Sequence, residues 1–278
     1  MEIDEVTELT AKGVSLTDYT HERVARGYMS DRRESSKKNV IKNLRRLSIS
    51  SEDVVLDLGC GGGWSTECIL TFNPSRVVGV DHSEVMVGIA QEDIKDGRAE
   101  FIQGDIGSLV LDQEFDKIVS VDVFHHLDDV AGALESVYNL LRRDGKCYLN
   151  WLGPFRKDVV EDKYFQLIVR EEARKRGRDF KFPEYCTEGF TRKELKEIMQ
   201  EKSFKISHSK VAPKKVKGED LKDYHMEFWR EAHPVLMEGF QDEKVVCEIG
   251  NSVYRKVAKF IRRGRTLGFD SQYWLEKV

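Results

Sequence analysis

The segment VLDLGCGGGW, residues 55–64, constrains this chain more than any other stretch. VVLDL, residues 54–58, has the texture of a buried strand. It runs into the glycine cluster Gly59 to Gly63 and then into a helical pattern from about Trp64. Glycines at such a junction permit a tight turn and let a ligand lie against bare backbone. The alternation continues downstream. Strands are predicted at 76–81, 99–105, 115–122 and 146–152. Ser83 caps a helix running through Asp93, and a helix from Asp128 to Arg143 stops at Asp144-Gly145. Strands alternating with helices at this spacing predict an α/β fold with a doubly wound, mostly parallel sheet. Ligands of such sheets bind at the carboxyl ends of the strands.

The side chains around the turn narrow the ligand. The dinucleotide pattern G-x-G-x-x-G would need a glycine at position 64, where Trp64 stands. Asp57 lies two residues before the first glycine, and a pyrophosphate on the turn would meet its carboxylate. No Gly-Lys-Ser/Thr follows, so a P-loop is excluded. A ligand with positive charge and no phosphate fits better, and S-adenosylmethionine carries a sulfonium and an ammonium. Asp81, at the end of the second strand and about 20 residues beyond the turn, suits the two ribose hydroxyls. Asp105 at the end of the third strand suits an adenine amine. Ser120 to Leu127, containing Asp122, His125 and His126, leaves the fourth strand beside the expected methyl group.

Taken together, DLGCGGG (57–63), VVGVDHSEVM (77–86), FIQGDI (101–106), FDKIVSVDVFHHLDD (115–129) and LLRRDGKCYLN (140–150) resemble the class I S-adenosylmethionine-dependent methyltransferases, in texture those acting on small molecules. The resemblance covers roughly residues 40–152, with a weaker echo in FTRKELKEIMQEKSFKI (190–206). It implies a Rossmann-like sheet of seven strands with helical insertions forming a cover. It also implies Gly59 and Gly61 against the methionine moiety with Asp57 nearby, Asp81 on the ribose, Asp105 and the backbone of Ile106 on adenine, and His82 and Met86 flanking the ring. Asp122 joins the cofactor set. His125 and His126 are the candidate bases for an amine or carbon acid; a carboxylate acceptor needs none.

The division expected is a helical cover over residues 1–50, a cofactor-binding core over 51–211 with an insertion at about 155–190, a helical insertion over 212–265, and a final strand over 266–278. Within it, TRKELKEIMQEKS (191–203) reads as a helix and FKISHSKV (204–211) as a strand. Aromatics cluster outside the core, and Tyr19, Tyr28, Tyr185 and Trp229 are the candidate contacts to the acceptor. No metal ligand set is expected.

A net charge of −4 argues against nucleic acid as a partner, although Lys210 to Lys217 and Arg262 to Arg265 form local basic runs. RNA or protein methylation is the alternative function, and a non-catalytic cofactor-binding module is another. Against the former, Val121-Asp122-Val123-Phe124 stands where amino-directed nucleic-acid enzymes carry Asn/Asp-Pro-Pro-Tyr. A dehydrogenase is disfavoured by Asp57 and Trp64. Five cysteines without a C-x-x-C pair, an acidic amino-terminal stretch and no apolar run of membrane length predict a soluble cytoplasmic protein, and the aromatics and charged residues beyond the core predict a small-molecule acceptor.

Overall fold

The computed structural model describes residues 22, 25–26, 34–127, 129–152, 161–178, 192–213, 236–237, 239–262 and 269–278. Seven strands form one sheet in the order β3-β2-β1-β4-β5-β7-β6. They are β1 (Val54–Leu58), β2 (Arg76–Asp81), β3 (Ala99–Gln103), β4 (Phe115–Val121), β5 (Leu141–Leu152), β6 (Phe204–Pro213) and β7 (Phe269–Lys277). The first five pair in parallel. At the far edge the contacts Lys205–Glu276 and Ser207–Trp274 run in opposite directions along β6 and β7, as in an antiparallel pair.

Register sets the site. Leu58 lies level with Val80 on one side and Ser120 on the other. Asp81 is level with Gln103, and Val121 with Asn150. The exits of β3, β2, β1, β4 and β5 therefore share one edge. The chain leaves β1 toward β2 and later returns on the other side of β1 as β4, so β1 and β4 flank the point where the strand order reverses. That is where an open α/β sheet has its ligand crevice.

The helices are α1 (Glu34–Leu44), α2 (Trp64–Leu70), α3 (Glu84–Asp93), α4 (Val130–Leu140), α5 (Glu161–Arg174), α6 (Arg192–Glu201) and α7 (Glu243–Arg262). On one face of the sheet, Val40 and Leu44 of α1 and Trp64, Cys68 and Ile69 of α2 pack with Val55, Val77, Val119, Tyr148 and Trp274. Two hydrogen bonds fasten α1 there: Asn43 Nδ2 donates to Tyr148 Oη at 3.2 Å, and Trp274 Nε1 donates to the Asn43 carbonyl at 3.1 Å. On that same face, Val87 and Ala90 of α3 pack with Cys60 and Phe101, since Phe101 is level with Gly79 and Gly79 with Asp57. Ser83 accepts from the Met86 amide at 3.2 Å, the cap expected from the sequence.

The helix expected to reach Arg143 ends at Leu140. Leu141 is fully buried and already pairs with Phe115, so a sheet position outcompetes another helical turn. Arg142 reaches Asp116 at 2.7 Å. The Asp144-Gly145 signal is spent on an irregularity inside β5, where Asp144 has φ 61° and the register shifts opposite Phe115 to Lys117.

The chain divides into two compact units. The sheet, with α1 to α4 and α6, lies in the unit comprising residues 18–152, 190–211 and 271–278. The other holds α5 and α7. There Glu172, 5% exposed, receives Lys256 at 2.9 Å and Lys175 at 2.8 Å. Among the described residues no helix is long and apolar enough to cross a membrane.

Candidate functional site

The site begins where β1 ends. Gly59 and Gly61 have φ of 71° and 52°, the left-handed region in which a Cβ costs about 1–2 kcal/mol. The turn is tied to β2. The amides of Gly59 and Cys60 donate to the Val80 carbonyl at 2.7 and 3.0 Å, and the Gly61 amide donates to Asp81 Oδ2 at 2.9 Å. The two glycines do different work. A Cβ on Gly59 would lie 2.2 Å from a γ-methyl of Val123, just past β4. Over Gly61 the nearest described atom is Met86 Sδ, at 4.0 Å. Gly59 makes room for protein, whereas Gly61 leaves bare backbone open.

Asp81 is the hub. It is 8% exposed. Its Oδ1 accepts from the Ser83 amide at 3.0 Å and lies 3.4 Å from His82 Nδ1. Its Oδ2 holds Gly61. Each carboxylate oxygen has a second lone pair, so Asp81 retains acceptor capacity while organising the turn. His82 is exposed and Met86 buried. Next door, Gln103 Nε2 donates to the His82 carbonyl at 3.1 Å. Asp105 is exposed and accepts from the Gly107 amide at 3.0 Å, capping a short 3-10 turn whose Ile106 side chain is buried.

Asp57, which the sequence placed near the ligand, is buried beneath the turn. Along a strand successive side chains face opposite ways. Asp57 shares the face of Val55, which packs against α2. It is 0% exposed, and its Oδ2 accepts from Ser65 Oγ at 2.7 Å and Thr66 Oγ1 at 2.6 Å. Its Oδ1 has no hydrogen-bond partner among the described residues. Burial pushes its carboxyl up to about 6; the Thr66 and Ser65 hydroxyls oppose this and the charge of Asp81 adds to it. Asp57 thus acts beneath the turn, through its field and its hold on α2.

Beyond β4, Asp122 adopts φ 60°, uncommon for a residue with a side chain. Its amide donates to the Asn150 carbonyl at 3.2 Å, and its Oδ1 accepts from Asn150 Nδ2 at 3.2 Å. His125 and His126 follow in a 3-10 turn. His126 is exposed, yet the protein around its ring lowers its pKa; Asp122 and Asp81 oppose that shift and His82 reinforces it. A neutral imidazole there is a competent proton acceptor. Among the described residues no three His, Cys, Asp or Glu side chains are grouped to hold a metal ion.

The structure brings Gly59, Gly61, Asp81, His82, Met86, Asp105, Ile106, Asp122 and His126 to one edge of the sheet. Tyr19, Tyr28, Tyr185 and Trp229 lie outside the described residues, as does the side chain of His125. Cys60 is buried, and burial raises its thiol pKa well above the usual value, with Asp57 and Asp81 adding to the shift; it is no nucleophile at neutral pH. Asn150 and Val123 were not anticipated. The available signal was the one amide in the strand KCYLNWL, at its carboxyl end.

A mostly parallel sheet with a glycine turn and an acid at the next strand end, at the reversal point, defines a Rossmann-like α/β fold. Residues 56–149 match the methyltransferase domain family. A malonyl-[acyl-carrier protein] O-methyltransferase of Halalkalibacterium halodurans is 30% identical over 145 residues, 49% of this chain and 53% of that protein. The juvenile hormone acid O-methyltransferase of Bombyx mori is 37% identical over 108 residues, 36% of this chain and 38% of that protein. The chain thus spans about half the length, or less, of these curated relatives. In fold it is similar to a Haemonchus contortus phosphoethanolamine N-methyltransferase solved with S-adenosyl-L-methionine, with a TM-score of 0.60 at 17% identity, covering 95% of this chain and 60% of that one.

Proposed function

We propose that this chain transfers the methyl group of S-adenosylmethionine to a small-molecule acceptor, with a carboxylate favoured. The observation that carries the reading is the pairing of bare backbone at Gly61 with acids at four consecutive strand exits: Asp57, Asp81, Asp105 and Asp122. That field suits a cation and opposes a pyrophosphate. Asp81 and Asp105 offer acceptors for ribose and adenine, and the open face of Gly61 offers a bed for the methionine part. The match of residues 56–149 to the methyltransferase domain family supports the cofactor. The two curated relatives named above act, by their names, on malonyl-[acyl-carrier protein] and a juvenile hormone acid, which supports an acid as acceptor. When bound, S-adenosylmethionine supplies a methyl carbon already activated by its sulfonium.

The chain's own part is alignment and exclusion of water. Orientation alone supplies about 7–11 kcal/mol in favourable cases. A carboxylate acceptor arrives ionised. For an amine, His126 would take the proton, and its lowered pKa favours the neutral form this requires. Tyr19, Tyr28, Tyr185 and Trp229 are the proposed acceptor contacts, with His125 as a second candidate base. A cytoplasmic location fits the cysteine pattern.

Thermal protection tests the reading. S-adenosylhomocysteine at a hundred times its dissociation constant stabilises by about 2.7 kcal/mol and should raise the melting temperature, while NAD should not. Protection by NAD alone overturns the assignment.

A further inference from the structure

We propose that Asn150 is a positioning residue for the cofactor seat: its side-chain amide holds the left-handed turn at Asp122 and so keeps Val123 against Gly59. The inference rests on the reading of the glycine turn as that seat.

Asn150 sits two residues before the end of β5, level with Val121 and 7% exposed. It holds the next residue of β4's exit twice, by its carbonyl on the Asp122 amide and by Nδ2 on the Asp122 carboxylate, each at 3.2 Å. A left-handed conformation at a side-chain-bearing residue persists where its surroundings over-determine it. Asp122 in turn sets Val123, whose γ-methyl fills the space a Gly59 Cβ would need, 2.2 Å from that position. The glycine turn is thus braced from both sides, by Asp81 of β2 and by the exit of β4.

The chemistry of the amide supports the assignment. Its Oδ1 is buried with no hydrogen-bond partner among the described residues. In the same strand Cys147 and Leu149 are fully buried and apolar. A buried amide satisfied on its donor side alone is a poor packing choice; what it contributes is the Nδ2 donor.

The test uses the full chain as wild type, Asn150→Ala and Asn150→Asp. Affinity for S-adenosylhomocysteine is read by calorimetry well below each melting temperature, and melting of the unliganded proteins is recorded alongside. Asn150→Ala should weaken binding about tenfold, the scale of one hydrogen bond to a charged group. Asn150→Asp should bind as weakly as the alanine variant at about pH 8 and recover toward wild type at about pH 5, where two facing carboxyls can share a proton. His126, His82 and Asp81 stand at the neighbouring strand exits in all three proteins, so each variant is compared with wild type at each pH. A lowered melting temperature with unchanged affinity in Asn150→Ala overturns the proposal. So does an Asn150→Asp that tracks the alanine variant at both pH values. If Asn150→Asp does not fold, Asn150→Ala decides alone. Wild type that fails to bind S-adenosylhomocysteine overturns the cofactor reading itself, whereas binding unaffected by Asn150→Ala overturns this inference only.

Discussion

The Asp81 carboxylate accepts the Gly61 amide at 2.9 Å, so the end of β2 shapes the turn that follows β1. One acid therefore serves two purposes. It fixes a backbone that presents itself to a ligand, and it keeps lone pairs for that ligand. A loop held this way needs little reordering when the ligand arrives, which favours affinity.

Removal of that acid tests both roles. Asp81→Ala should cost about 1.5–3 kcal/mol of binding to S-adenosylhomocysteine, or one to two decades in dissociation constant. Calorimetry reads this directly. Equal affinity in mutant and wild type removes Asp81 from the site.

The two glycines should separate stability from binding. Gly59→Ala meets Val123 at 2.2 Å as well as a φ of 71°, so both folding stability and ligand protection should fall. Gly61→Ala meets nothing nearer than Met86 Sδ at 4.0 Å among the described residues. Its folding penalty should be about 1–2 kcal/mol, from φ alone, while its added methyl occupies the ligand's bed. Denaturant melts with and without S-adenosylhomocysteine distinguish the two. A Gly61→Ala protein protected as fully as wild type contradicts the assignment.

Asp57 should make stability fall as pH rises. Its folded-state carboxyl titrates at about 6 against an ordinary 3.8. A raised value means that its contribution is fully present below about 4 and is lost as pH climbs through about 6. The loss amounts to about 3 kcal/mol. Asp57→Asn keeps the shape and removes the titration. The stability of wild type relative to Asp57→Asn should decline between about pH 4 and pH 8; a difference independent of pH refutes the assignment.

Glu172 should behave in the opposite sense. Burial pushes its carboxyl up, but Lys175, Lys256 and Ser252 outweigh that and hold it down at about 2. Its stabilisation is present above the ordinary 4.5 and is lost as pH falls through about 2. Glu172→Gln should weaken the contact between α5 and α7 by about 1–3 kcal/mol at neutral pH. Faster amide hydrogen exchange in residues 161–174 is the expected signature; unchanged exchange there sinks the claim.

Much of this was legible in the sequence because it is local. Apolar runs such as VVLDL and RVVGVD declare buried parallel strands. Ser83 declares a helix start, and glycines declare a turn. The acids at the strand exits were legible for the same reason, since each ends a strand whose pattern is visible. Tertiary structure decided what depends on partners distant in sequence. Asp57 was read as lying near the ligand; strand alternation and the docking of α2 bury it against Ser65 and Thr66. The helix read through Arg143 gave up its last turn because Leu141 found Phe115. Asn150 and Val123 gained their roles only when β4 and β5 aligned, since hydrogen bonding and close approach depend on register, and register is set by the whole sheet rather than by any one segment.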